Sequence, residues 1–295
     1  MQKIWLDTDI GSDIDDALTL AYLAAHPECE LMGVSTVSGQ ADRRAMMVSA
    51  ILMNAGKGNV PVYPGVEAPL LIDQKQPEAK QADALGSWPH QKAFPRGEAL
   101  TAMRRAIRDN PGEITLLGIG PMTNIALLFA MDPELPGMLK QLVLMCGIFT
   151  YGLEAYTCLS EWNSRCDPHA SAMVYAAPAP RVISIGLDVT TLVTMEVADL
   201  RARLTSPIAR PVLDFMGART FVDKPVTFHD PLAAAIIFEP DLCAFRRGNV
   251  EVELVSKRLE GLTWLEPDEA GNDLVALEVD AERFFRHYFD ILERG

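Results

Sequence analysis

Ile4-Trp5-Leu6-Asp7-Thr8-Asp9-Ile10-Gly11-Ser12-Asp13-Ile14-Asp15-Asp16-Ala17-Leu18 is the stretch from which the rest of the chain can be read. An apolar run short enough for a buried strand stops at Asp7, and five carboxylates then crowd together: Asp7, Asp9, Asp13, Asp15 and Asp16. Like charges a few ångströms apart repel strongly once water is removed, so such a cluster either stays solvated on a loop or is neutralised by a cation. Hard divalent ions such as calcium or magnesium take oxygen donors of this kind. Helix capping and the helix dipole ahead of Ala17 account for Asp13 and one of Asp15 and Asp16. They leave Asp7 and Asp9 unexplained, at the carboxyl end of the strand, where open α/β sheets bind their ligands.

Outward from this stretch, β-like runs alternate with helical patterns, which predicts an α/β fold with an open, mostly parallel sheet and helices on both faces. Residues 31–37, 60–65, 114–119, 141–145 and 181–190 read as strands with their turns, and residues 42–56, 98–108 and 197–219 as helical. From residue 249 a small antiparallel addition is expected, closed by an amphipathic helix over 281–292. Residues 66–96 are polar and proline-spotted; a loop of that length is usually a functional lid or disordered. With no repeat and no clear linker, residues 1–295 read as a single domain.

Composition narrows the function classes. A 295-residue chain that is 49% hydrophobic can bury a full core. A net charge of −14 argues against nucleic acid or an anionic membrane as partner. Five cysteines without a Cys-x-x-Cys pair argue against a zinc site or disulfide framework and fit a reducing cytoplasm. No apolar run reaches the length of a membrane span, and the amino terminus lacks the pattern of a signal peptide. The expectation is a soluble cytoplasmic protein.

Three motif families can be tried on the acidic stretch. An EF-hand loop counted from Asp7 needs glycine at its sixth position and glutamate at its twelfth; Gly11 falls fifth and Leu18 twelfth, so that reading fails. A phosphatase of the haloacid dehalogenase type also opens with Asp-x-Asp after a strand, and Gly271-Asn272-Asp273 is a loose match to its later acidic motif. That magnesium-dependent phosphatase is the alternative reading. The stretch most resembles the Asp-x-Asp-x-Gly-x-Asp-Asp-x-x-Ala signature of the nucleoside hydrolases of the inosine-uridine preferring type, with two extra residues before Asp15-Asp16.

Further segments carry the same resemblance in order. Gly120-Pro121-Met122-Thr123-Asn124-Ile125-Ala126 is similar to the family's Gly-Pro-Leu-Thr-Asn-Ile-Ala, Glu161-Trp162-Asn163 with Asp167-Pro168 to its Glu-Phe-Asn and Asp-Pro, and His229-Asp230-Pro231 to its His-Asp-Pro. Departures are Gln40 for an asparagine, Cys146 for a glycine, a longer loop between Met145 and Glu161, and no clear counterpart of a histidine after the third strand, whose space Trp88 or His90 takes. The resemblance implies calcium-dependent cleavage of the N-glycosidic bond of ribonucleosides or related N-ribosides, in nucleoside salvage. It implies calcium held by Asp9, Asp16, Asp230 and the Ile119 carbonyl, with Asp7 or Asp15 close by. It further implies Asp9 as general base, His229 as acid or hydrogen-bond donor to the leaving base, and Asp15, Gln40, Glu161, Asn163 and Trp88 on the substrate. A homo-oligomer, dimer or tetramer, is also expected. A non-catalytic riboside sensor on the same fold is the third reading.

Overall fold

The first strand is apolar on both faces, and a strand of that kind is stable only between two layers of helix. In the computed structural model, which describes residues 1–86, 88–150, 160–218 and 224–294, that is where it lies. The strands in chain order are β1 (Gln2–Thr8), β2 (Cys29–Thr36), β3 (Val62–Pro64), β4 (Ile114–Gly118), β5 (Gln141–Leu144), β6 (Val182–Ser184), β7 (Thr194–Met195), β8 (Val226–Thr227), β9 (Cys243–Val252), β10 (Thr263–Pro267) and β11 (Asp273–Val279). The helices are α1 (Asp15–Ala25), α2 (Ala41–Asn54), α3 (Ala99–Asp109), α4 (Thr123–Met131), α5 (Leu135–Met138), α6 (Trp162–Cys166), α7 (Pro168–Tyr175), α8 (Leu187–Thr190), α9 (Val197–Arg203), α10 (Arg210–Gly217), α11 (His229–Ala235) and α12 (Ala281–Arg294).

Nine strands form one sheet in the order β10-β9-β11-β6-β5-β4-β1-β2-β3, and β7 pairs with β8 in a separate antiparallel ribbon. The run from β11 to β3 is parallel; β9 joins β11 antiparallel, and β10 joins β9 the same way. The expected α/β sheet with its antiparallel carboxyl-terminal addition is therefore present, and that addition extends the main sheet through β11. Alternation along β1 sorts its side chains between layers. Ile4 and Leu6 pack with α1, α2, α10, α11 and α12, while Trp5 packs with α3, α4 and α7 on the other face. Trp5 needs room at β2, and glycine provides it: a Cβ at Gly33 would lie 2.6 Å from the indole ring.

This topology positions the site. The chain passes from β1 through β2 to β3 on one side, then crosses over β1 to lay β4 on the other. The crevice beyond the carboxyl ends of β1 and β4 is thus a topological switch point, where ligands of open α/β sheets bind.

Three expectations change. β1 does not stop with the apolar run at Leu6 but continues through Asp7 to Thr8, pairing Asp7 with Ser35 and Gly118. Residues 187–190, expected as a turn, are the short helix α8. Within residues 66–96, expected as a loop, residues 66–86 have local structure and fixed contacts. They carry a 3₁₀ turn, Lys80–Leu85, and are stitched to the acidic stretch by Gly39 N–H to the Gln76 carbonyl (3.2 Å) and Gln81 N–H to the Gly11 carbonyl (3.1 Å).

Helix α1, which carries two of the acids, is held at its far end by rings. His26 stacks on Phe238 with centroids 3.6 Å apart, and the Tyr22 hydroxyl meets His287 Nε2 at 2.8 Å. Burial, and then the neighbouring His287, push the His26 imidazole down to about 4; Glu239 opposes the shift and Lys57 adds to it. A folded-state value below the ordinary 6.5 means that stability is complete above that pH and falls as pH drops towards 4. Urea unfolding of wild type should therefore lose about 1–2 kcal/mol more than a His26→Phe variant across that window, after allowance for solvent screening. Parallel curves would show that His26 does not titrate with folding.

Candidate active site

Beyond β1 the chain has to turn from strand to helix while carrying acid after acid. Gly11 makes the turn at φ +116°, with Met47 and Ala79 so close that a Cβ would lie 3.1 Å from each. Arg44, on α2 and fully buried, pins the turn from behind. Its guanidinium donates to the carbonyls of Asp9, Ile10 (3.0 Å), Gly39 (2.9 Å) and Glu78 (3.3 Å) and to Ser12 Oγ (3.0 Å). This guanidinium thus serves backbone oxygens. Its charge also attracts Asp9 and Asp16, but burial outweighs that attraction and both carboxyls stay raised above their ordinary range.

Those carboxylates gather at two helix starts. Asp15 and Asp16 stand in the first turn of α1 and Asp230 in that of α11, so both helix dipoles favour negative charge there. All three are buried, and one oxygen of each lies within 4.8 Å of the others. Burial pushes each carboxyl well above its ordinary range; the next cause is Asp13 for Asp15, Asp9 for Asp16 and Asp15 for Asp230. Thr8 Oγ1 donates to Asp16 at 2.5 Å, a single hydroxyl against several acids. Three converging buried carboxylate oxygens fit a hard divalent cation, which takes oxygen donors and would remove the repulsion.

Asp9 stands beside this group, buried and raised above its ordinary range first by burial. Its Oδ2 accepts from the carboxamide of Gln76, and its Oδ1 faces Gly120, where a Cβ would come within 2.9 Å. Asp7 points elsewhere: Ser35 Oγ (2.5 Å) and Asn124 Nδ2 (2.7 Å) donate to its Oδ1 below the cluster, and burial lifts it to about 7. Of the pair expected near the ion, the structure brings in Asp15 and leaves out Asp7. Asp13 donates no cap to α1 in the usual sense; its Oδ1 accepts from the N–H of Ile14 (2.7 Å), the residue flanking the helix.

The family model described as inosine-uridine preferring nucleoside hydrolase matches residues 4–286. The chain belongs to that family. It is an N-glycosyl hydrolase, a nucleosidase. An uncharacterized protein of Schizosaccharomyces pombe is 30% identical, with 99% of each chain covered. The inosine-uridine preferring nucleoside hydrolase of Crithidia fasciculata is 28% identical over 99% of this chain and 98% of its own. Among solved structures, the plant nucleoside hydrolase PpNRh1 superposes with a TM-score of 0.84 at 22% identity, covering 100% of this chain and 99% of its own.

In this nucleoside hydrolase the remaining predicted residues have definite neighbours. The Ile119 carbonyl accepts from Asn163 Nδ2 (3.0 Å), and the same nitrogen donates to the Met145 carbonyl (3.0 Å). Asn163 thereby ties the ends of β4 and β5 together. Glu161 is the N-cap of α6: it accepts from the N–H of Asn163 (2.6 Å), Ser164 (3.0 Å) and Gly147 (3.2 Å), and burial lifts it to about 7. Gln40 uses its Oε1 on the N–H of Ala79 (2.9 Å), and Trp88 donates its indole N–H to Asp214 on α10 (2.9 Å). His90 Nδ1 meets the Trp88 carbonyl at 2.7 Å. His229 Nδ1 meets Thr190 Oγ1 at 2.7 Å, and burial pushes the ring down to about 4.

The phosphatase alternative fails on position. Asp273 opens β11, with β6, β5 and β4 between it and β1, roughly 19 Å at ordinary strand spacing. Its carboxylate accepts from the Val250 N–H (2.6 Å), while Asp7, which that chemistry needs as nucleophile, is locked inside its strand. Sequence reasoning misses Arg44, Gln76 and Asn124. The asparagine lies within a recognised segment, and its latch from Asp7 to the Thr36 carbonyl (3.1 Å) and the Val66 N–H (2.9 Å) is the part open to inference.

Proposed function

We propose that this nucleoside hydrolase is calcium-dependent and that it splits ribonucleosides or related N-ribosides into ribose and base with Asp9 as general base. One observation carries the reading: Asp15, Asp16 and Asp230, from opposite ends of the chain, bring buried carboxylate oxygens within 4.8 Å of one another. Asp15, Asp16 and Asp230 would hold the ion, with Asp9 and the Ile119 carbonyl beside it. Calcium bound there would supply positive charge that grips vicinal hydroxyls and eases deprotonation of a water.

Asp9 takes the proton from the attacking water, one of its oxygens being committed to Gln76 and the other available. The ribosyl group gains positive charge as the bond to the base breaks, and the surrounding carboxylates favour that charge. His229, steadied through Nδ1 by Thr190, offers Nε2 to the departing base, a contribution of about 10²- to 10⁴-fold where such a donor acts. Glu161 and Asn163 serve the ribose pocket through the backbone that they fix, the Gly147 N–H and the carbonyls of Ile119 and Met145.

The described cysteines, Cys29, Cys146, Cys166 and Cys243, are free and buried, which supports a reducing cytoplasm and salvage of nucleosides there. No helix among the described residues is long and apolar enough to cross a membrane. Calorimetry with calcium, followed by a reducing-sugar assay on purine, pyrimidine and modified ribosides, tests the reading. Calcium should bind, and Asp9→Ala should lower kcat by about 10²- to 10⁴-fold. Absence of calcium binding, or an Asp9→Ala variant as fast as wild type, would reject it.

A further inference from the structure

We infer that Gln76 is a positioning residue that sets the orientation of Asp9 and couples it to Trp162. Its carboxamide is buried between two groups that admit only one arrangement. The Trp162 indole N–H can only donate, and it reaches Gln76 Oε1 at 2.6 Å; the Asp9 carboxylate accepts, and it receives Gln76 Nε2. Neither asparagine, one methylene shorter, nor glutamate, which would face a carboxylate with a carboxylate, could make both bonds.

The backbone around Gln76 is built to hold this bridge. Its carbonyl accepts from Gly39 N–H (3.2 Å) and its N–H donates to Gln74 Oε1 (2.7 Å). Gly39 allows the approach, since a Cβ there would lie 2.4 Å from the Pro77 carbonyl oxygen. Residues 66–86 therefore deliver one amide to the back of Asp9. With Oδ2 occupied, Oδ1 is the oxygen left towards Gly120 and the end of β4. Trp162, half-exposed on α6, steadies Gln76 from the solvent side.

The inference rests on Asp9 serving the reaction as proposed above, and a mutant cycle separates the two. Gln76→Met keeps the length and removes both bonds; Trp162→Phe removes one. In calcium, Gln76→Met should lower kcat by about 10- to 100-fold while KM moves less than about threefold, the pattern of a lost supporting contact. Trp162→Phe should act in the same direction and more weakly, and the double variant should be no slower than Gln76→Met alone, because the indole acts through the amide. Calcium affinity of the same four proteins, measured by calorimetry without riboside, should show the same non-additivity. Multiplying effects, or Gln76→Met with wild-type kcat and calcium affinity, would overturn the inference. If wild type splits no riboside, the functional reading fails, and the cycle in calcium affinity still decides the role of Gln76.

Discussion

Replacing Asp16 with asparagine should raise the melting temperature of the calcium-free protein while it removes nearly all turnover. The two effects have opposite signs because they act on different states. Without an ion, Asp16 is a buried acid with Asp9 and Asp15 beside it, and the Thr8 Oγ1 hydrogen bond and the more weakly felt Arg44 charge do not outweigh burial and the two acids. An amide of the same shape keeps the Thr8 bond and removes a charge that burial and the neighbouring acids disfavour, so the calcium-free fold gains stability. With calcium present the ligand is gone, and kcat/KM should fall by about 10³-fold or more, the several kcal/mol that a metal contributes to such a transition state. Wild type should melt higher as calcium is added, by mass action on the folded state, and the variant should not. Differential scanning fluorimetry with and without calcium, beside the sugar assay, reads both. A variant that melts lower without calcium and still responds to the ion would mean that the carboxylates are matched by protein groups alone.

Contrast Asp132, a buried acid whose partners are already in place. Arg108 and Arg104 hold its carboxyl well below the usual range with hydrogen bonds of 2.6 to 2.7 Å. The difference explains why the acidic stretch is legible in the sequence alone. An acid with an arginine partner leaves an ordinary trace in a sequence, whereas a crowd of acids with no basic residue among them demands something from outside the chain. The sheet is legible for a related reason: runs such as Leu142-Val143-Leu144 can be buried only between helices on both faces.

What stays hidden depends on rotation and on partners distant in sequence. Arg43 and Arg44 are adjacent and chemically identical, yet Arg43 reaches out to Asp83 at 2.5 Å while Arg44 is fully buried; the hundred-degree step along α2 decides which is which. Gln76 sits in a polar run whose spacing says nothing until the turn at Gly11 is built. Asp7 reads as the end of the apolar run because aspartate is rare in strands; Ser35 and Asn124, from β2 and α4, make it tolerable inside β1. Glu161 is placed on the substrate only by the family resemblance, and its capping contacts with the first turn of α6 and the Gly147 N–H need the folded loop to be seen.

Arg44 should be the most sensitive position outside the acids. Arg44→Met leaves four backbone carbonyls and Ser12 Oγ without their donor in a buried turn. Removing one side of a buried charged network typically costs about 3–5 kcal/mol, which for a chain of this size is a fall in melting temperature on the order of 10 °C. Arg44→Lys then separates charge from shape. Lysine keeps the attraction to Asp9 and Asp16 that burial of the guanidinium otherwise opposes, but its compact ammonium has three donors and cannot span Gly39, Ile10 and Glu78 at once. The lysine variant should therefore recover less than half of the loss, and its calcium affinity should stay depressed even where the protein is folded, because the Asp9 and Ile10 carbonyls are no longer held. A lysine variant within about 1 kcal/mol of wild type in urea unfolding would mean that positive charge alone supports the turn, and that the geometry of the fork is incidental.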